Sequence, residues 1–433
     1  MRARAWLGWA RPTPVCLSAW VALTSPLLGQ APEFDPADLM ADVETYYSFG
    51  VHRTAYDGDA STSAWLARSL SSLGFEMENG HILEIRQFFP SHASIEDARG
   101  RISAFPVWLP RPTAPEGLTA RLTLVTEDTP DADIRGSVAW LDPDAEGARD
   151  RTVLDEKAIA AGAAAIIFAT TDRGGRGLWA AVNTERRYVD VQRPVPTLIF
   201  GSAEIERLRA ALGHDVTVRL TGRMVENAKA VNVVARRVVD EDADWIVVST
   251  PSSGWFTNAG ERGPGIAMLL ALAGWVAGRS PPVNYYFVAN SGHELDYLGA
   301  RRLHESGRAP PPERTRAWVH IGAQIATPPW HEVDGAYVPT DRVTSGTLQA
   351  TEDLAPLLAD AFADLRMFTL RTDTRIGEFR DLTEHGYRGL GIVGGSNPWF
   401  HVPGDDPRGV SAETLADVTH AMAEALLAVE RND

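Results

Sequence analysis

Apolar and polar positions along the chain alternate between two periods. From residue 228 onward, short β-rich runs ("AVNVVARRV", "DWIVVST", "NYYFVAN", "AWVHIGA", "GLGIVGG") are separated by stretches with apolar residues at helical spacing ("GPGIAMLLALAGWVAG", "LDYLGARRLHESG", "LAPLLADAFADL", "SAETLADVTHAMAEALLAVE"). Strand–helix alternation of this kind predicts an α/β fold with a mixed, mostly parallel sheet sandwiched by helices. Ligands of such sheets sit beyond the carboxyl ends of the strands. That points to Thr250–Gly265, Asn290–Asp296, Gly322–Trp330 and Gly394–Asp406.

Upstream, "DPADLMADVETYYSFG" and "DASTSAWLARSLSSLG" read as helices, with Asp35 as a cap of the first and Gly74 ending the second. "HILEIRQFF" alternates as a strand. The Pro-rich passage "FPVWLPRPTAPEG", 105–117, marks the best domain boundary. Between about 118 and 226 the texture changes to short strands with two helices, as in a small α/β or β-rich unit. The resulting division is 1–30 as a leader, 31–115 with 228–433 as a discontinuous α/β domain, and 116–227 as an insertion.

Composition adds bounds. The 433 residues carry a formal net charge of −16, which disfavours nucleic acid and anionic membranes as partners. Arg-rich "MRARAWLGWAR" followed by "PVCLSAWVALTSPLLG" reads as an export signal cleaved near Gly29–Ala31. That apolar stretch is too short to span a bilayer, and no later segment is apolar for long enough to do so. The single cysteine, Cys16, lies inside the leader, so the exported chain has no thiolate for a disulfide, a metal or a nucleophile.

The strand-end segments and their order resemble the zinc exopeptidase family of secreted aminopeptidases, glutamate carboxypeptidase, glutaminyl cyclases and the transferrin receptor. The resemblance covers about 36–105 and 228–430. The middle segment ("GSVAWLDPDAEGARDRTVLDEKAIAAGAAAIIFAT", then "VPTLIF") resembles the protease-associated domain often inserted in these proteins.

The resemblance implies five metal-ligand positions. "WIVVSTPSSGW" puts Thr250 where a His belongs and Ser252 where an Asp belongs. "TNAGERGPGIA" puts Glu261 at the bridging carboxylate, with Arg262 beside it. "SGHELDYLGA" puts His293 at the general base and Glu294 at a ligand. "WVHIGAQ" puts Gly322 at a fourth ligand, and "WFHVPGDD" keeps the last as His401.

Three readings follow. Glu261, Glu294 and His401 could hold one zinc ion, with His293 moving protons; three ligands and an open position are what a catalytic zinc needs. Against it stands the fixed charge of Arg262. A metal-free hydrolase would use Ser252 or Ser253 with His293, Glu261 and Arg262, although no nucleophile-elbow motif supports it. A binding protein on a peptidase scaffold would use no chemistry at all. The expected cofactor is therefore one zinc or none, and the expected partner a small molecule or peptide; oligomeric state is open.

Plainer readings compete with these. His293-Glu294 could simply start a helix, where a carboxylate is favoured by the dipole. Trp255, Phe256, Trp330, Trp399 and Phe400 read equally as core packing or as a substrate platform. His320 reads as a satisfied core histidine and His304 and His331 as surface. Glu378, Arg380 and Asp381 read as a solvated helix start that could also line the cleft.

Overall fold

The computed structural model describes residues 31–432 except 145–146 and 341–344. The leader, its cleavage region and Cys16 lie outside the described residues. Ala31–Asp433 forms one compact unit.

Helices α1 (Pro36–Ser48) and α2 (Asp57–Ser72) open it. The Asp35 side chain accepts from the Ala37 N–H at 2.8 Å, the cap the sequence predicts. A short edge strand, β1 (Glu76–Glu78), follows. The chain then builds a barrel from β2 (Ile82–Asp97), β3 (Gly100–Pro106), β4 (Leu118–Val125), β5 (Val138–Leu141), β6 (Ala165–Thr170), β7 (Thr197–Gly201) and β8 (Asp215–Val231). These close in the order β2-β3-β7-β6-β5-β4-β8. Helices α3 (Asp131–Ile134), α4 (Gly147–Ala161) and α5 (Ile205–Arg209) lie within this segment. The barrel thus begins before the Pro-rich passage taken as the boundary. The long β2 pairs with β8 from Ile82↔Val231 to Glu96↔Thr217, so the strand at 82–97 belongs to the barrel and not to the α/β sheet.

The C-terminal half runs β9 (Val233–Arg237), β10 (Trp245–Pro251), α6 (Gly263–Ala277), β11 (Asn284–Asn290), α7 (Leu298–Glu305) and β12 (Thr315–Ile321). A hairpin of β13 (Trp330–Val333) and β14 (Ala336–Pro339) follows. Then come β15 (Gly346–Ala350), α8 (Ala355–Ala361), β16 (Phe368–Arg371), α9 (Glu378–Glu384), β17 (Gly389–Gly394) and α10 (Ala412–Arg431). The main sheet has eight strands in the order β1-β9-β11-β10-β12-β17-β15-β16. Its centre, β11-β10-β12-β17, is parallel throughout, and antiparallel pairs flank it. The mixed, mostly parallel α/β sheet expected from the alternation is present.

Parallel pairing at the centre brings the carboxyl ends of β10, β11, β12 and β17 to one edge of the sheet. Helix α6 is apolar all round because it is enclosed: Ile266, Met268, Leu269 and Leu272 share the core with Val248, Phe287 and Ile321 of the sheet and Leu426 of α10. Its first turn sits tight against β10, and a Cβ on Gly265 would lie 2.6 Å from Thr250 Oγ1. Only glycine allows that approach, and it presses the segment just before α6, Glu261-Arg262, against the strand ends.

Candidate functional site

Left-handed backbone at residues other than glycine gathers on these loops. Asn258, Asp296, Tyr297, Gln324 and His401 have φ between 51° and 63°. Such conformations cost about 1–3 kcal/mol each and persist where surrounding contacts enforce them, as at functional sites. They also dispose of the helix-start reading. Helix α7 begins only at Leu298, beyond two left-handed residues, so His293 and Glu294 sit on a turn and not in a helical first turn.

Glu261 and Arg262 are each 1% exposed, and Arg262 Nη2 lies 2.9 Å from Glu261 Oε1. His401 Nε2 approaches the same oxygen at 3.7 Å. Burial pushes the Glu261 carboxyl up, but Arg262, His401 and His293 outweigh it and hold the group below its usual value. His401 is pinned from the barrel: Nδ1 donates to the Ala181 carbonyl at 2.9 Å, and the Ala181 N–H donates to the His401 carbonyl. That leaves Nε2 with the lone pair. Burial lowers the imidazole pKa to about 4, the nearby Glu261 opposing the shift. Asp405 holds the Glu261 loop by accepting from the Gly260 and Glu261 N–H groups at 3.0 and 2.8 Å. Burial raises its carboxyl to about 7.

Glu294 takes a different course. Its Oε1 accepts from both the N–H and the Oγ1 of Thr54 at 2.7 Å, and its Oε2 accepts from Ser253 Oγ at 2.9 Å. Ser253 Oγ in turn accepts from the Gly292 N–H at 2.8 Å. Near Glu294 lies Arg53, buried with no hydrogen-bond partner and boxed by the rings of Trp255 and Trp108, 4.9 and 5.3 Å from its guanidinium carbon. Ser252 Oγ is buried without a partner. No hydrogen bond joins either serine hydroxyl to the His293 ring.

His293 faces Glu378, a residue the sequence marks only as a solvated helix start. Nδ1 of His293 is 3.2 Å from Glu378 Oε1, and Nε2 of His320 is 3.2 Å from Oε2. Glu378 is 3% exposed and Asp381 2%, so neither is solvated. Burial would raise the Glu378 carboxyl, yet the two imidazoles hold it far below the usual range. Gly377, at φ 65° just before α9, turns Glu378 inward. His320 is satisfied as expected, its Nδ1 lying 3.2 Å from Ser249 Oγ, but it also faces the cavity.

That cavity, about 440 Å³, is lined by Arg173, Arg262, His293, His320, Glu378 and Phe400 among others. Arg173 comes from the barrel; its guanidinium stacks on the Phe400 ring at 3.9 Å and donates to Gln324 Oε1 at 3.1 Å. Of the five aromatics put forward for a substrate platform, only Phe400 lines the cavity. Trp255 is 1% exposed and donates to Asn183 Oδ1. Trp330 and Trp399 pack edge to face at 5.8 Å beside Tyr337, with Arg176 over Trp399. Thr250 is a strand-end residue, its hydroxyl donating to the Ile321 carbonyl at 2.9 Å.

This fold is similar to that of solved zinc aminopeptidases. No protein-family model matches the chain, and no curated protein matches it. Solved structures do. A zinc aminopeptidase from Bacillus subtilis superposes with a TM-score of 0.72 at 16% identity, over 92% of this chain and 95% of that one. A peptidase M28 precursor from Shewanella amazonensis SB2B gives 0.70 at 15% identity, over 92% and 94%. An aminopeptidase from Aneurinibacillus sp. strain AM-1 gives 0.67 at 16%, over 91% and 93%. Likeness at this identity establishes the fold.

The fold implies zinc, and the side chains here do not fit it. A catalytic zinc takes three protein ligands. Glu261, Glu294 and His401 do not bring one ligand atom each within 4.8 Å of one another. Both Glu294 oxygens are taken by Thr54 and Ser253, and Glu261 already faces a permanent cation. Two donors and a guanidinium are not a zinc site.

Proposed function

We propose that this chain is an exported, metal-independent binding protein built on the zinc exopeptidase fold, taking a small peptide-like molecule with a free carboxylate into the strand-end cavity. The observation that carries the reading is Arg262. Its guanidinium, 1% exposed and 2.9 Å from Glu261 Oε1, supplies from the protein itself the positive charge that a metal would bring. An arginine cannot be deprotonated in a protein, so the substitution is permanent.

The ligand class follows from the lining. A cavity of about 440 Å³ suits a small molecule. Arg173 reaches over it with no carboxylate partner among the described residues, and a guanidinium stacked on an aromatic face is well placed to fork onto a carboxylate. The barrel, read as a protease-associated domain, would then serve as the wall that carries Arg173.

The test is metal content and binding together. Purified protein should hold no stoichiometric metal that depends on His401. Di- and tripeptides should raise its thermal midpoint, C-terminally amidated ones should not, and Arg173→Ala should weaken binding by about tenfold or more. Chelator-sensitive aminopeptidase turnover would overturn the proposal.

A second reading rests on the His293–Glu378 contact of 3.2 Å. A carboxylate holding an imidazole that faces a cavity is a base with its orienting group, able to activate a water in a metal-free hydrolase. Turnover of amide substrates that resists chelators and vanishes in His293→Ala would favour it.

A further inference from the structure

At the contact between α7 and α9, His304 of α7 meets Asp381 and His385. One ligand atom from each of the three lies within 4.8 Å of the other two, and among the described residues no other group of three His, Cys, Asp or Glu does so. The sequence reading of His304 as a surface residue fails here. Its side chain is 2% exposed and that of Asp381 3%, with His304 Nε2 at 3.3 Å from Asp381 Oδ2. Asp381 Oδ2 is buried without a hydrogen-bond partner. Unsatisfied buried polar atoms are costly and rare, so each asks for a missing partner.

The geometry points to a transition-metal site formed by His304, Asp381 and His385, taking zinc or a similar divalent ion. Two imidazoles and one carboxylate are the donors such ions prefer, whereas magnesium and calcium prefer all-oxygen sets. Metal–ligand bonds of about 2.0–2.1 Å in a tetrahedron set neighbouring ligand atoms about 3.3 Å apart, the spacing already present between His304 Nε2 and Asp381 Oδ2. His385 is prepared as well. Its Nδ1 donates to the Asp381 carbonyl at 2.8 Å, the backbone contact that fixes the tautomer of metal-binding histidines and leaves Nε2 basic.

Asp381 and His385 are one turn apart on the same helical segment, and the His304 and His385 rings stack at 4.5 Å. The cluster reaches solvent at His385, whose side chain is 40% exposed. No cation faces the centre as Arg262 faces Glu261; Arg301 and Arg186 act on Asp381 only after its burial and its neighbours His385 and Glu378. An ion here would clamp α7 to α9 and so steady Glu378, which lines the cavity one turn earlier in α9.

The site does not depend on the reading of the cavity, and one experiment separates them. Apo protein is titrated with cobalt(II) and zinc(II) chloride, by visible absorption and calorimetry, with magnesium(II) as competitor. The expected result is one equivalent per chain, undisturbed by magnesium, with zinc raising the thermal midpoint. Binding should be unchanged in His401→Ala and weakened at least about tenfold in His385→Ala. Because His385 is half-exposed, that variant keeps the fold, which circular dichroism checks; Asp381→Asn is the second. Absence of stoichiometric binding, or binding that survives His385→Ala and Asp381→Asn, would overturn the site and leave the cavity reading standing. Binding lost in His401→Ala but kept in His385→Ala would overturn both.

Discussion

Two of the imidazole–carboxylate clusters in this domain differ by a single kind of group. At the strand ends, Glu261 and His401 share their space with the Arg262 guanidinium. On α7 and α9, Asp381 meets His304 and His385 with no guanidinium between them. In the first cluster burial is opposed by an internal cation, and Glu261 stays ionised. In the second, burial dominates: the Asp381 carboxyl rises to about 6 and the His304 imidazole falls to about 3. The difference teaches that donor residues alone do not define a metal site. The charge already present decides whether an ion is wanted.

Removing the cation is the strongest way to break this contrast. Arg262→Met should cost about 3–5 kcal/mol in urea denaturation, because it strands a buried carboxylate. The double variant Glu261→Gln with Arg262→Met should recover most of that loss, since replacing both members of a buried pair is often close to neutral. If the single variant is as stable as wild type, the guanidinium is not what balances the cluster. Next in size, Glu378→Gln removes the anion shared by His293 and His320, and should cost about 1.5–3 kcal/mol by the same measurement. Smaller again is Thr54→Val, which deletes one of the three hydrogen bonds to Glu294. A loss of about 1–2 kcal/mol, with no change in metal content, would mark Glu294 as a structural anchor and not a ligand.

The sheet and the edge where its parallel strands end were legible because both are written locally. Strand period, helix period and the order of segments are properties of short windows, and "SGHELDYLGA" and "WFHVPGDD" fall where parallel strands must end. Partners distant along the chain were not legible. β2 looked like any amphipathic strand, and nothing within 82–97 says that its partner is 215–231. Glu294 looked like a free ligand because Thr54, which occupies it, lies 240 residues away. Glu378 looked solvated because its inward turn depends on a left-handed Gly377. One missed signal was available: Asp381 and His385 stand four apart in "DLTEH", a spacing that places two donors on one helical face. Their third member, His304, comes from another helix.

The smallest expected effect bears on protonation of the strand-end cluster. His401 is buried with a pKa near 4, against 6.5 for the free imidazole. A depressed folded value means that the unfolded chain takes up the proton first as pH falls. Stability from this residue is therefore present above about 6.5 and is lost on acidification toward 4. Between pH 7 and 6 the loss comes to about 0.7 kcal/mol, from the protonation of an unfolded group of pKa 6.5 while the folded imidazole stays neutral. Wild-type protein alone would not show it cleanly. His52, also buried and lowered to about 3, adds a loss of the same sign. Asp59 and Asp405, raised to about 7, oppose it, because their stabilisation grows as pH falls. The difference between wild type and His401→Gln removes these shared terms. The variant should lose about 0.7 kcal/mol less than wild type from pH 7 to pH 6 in urea denaturation. Equal slopes would mean that the folded imidazole titrates like the unfolded one, and a wild type that loses less than the variant would mean that it is protonated in the folded state, paired with Glu261 as a second cation beside Arg262. The contrast between the two clusters would then widen, because the strand-end site would carry two positive groups against one carboxylate.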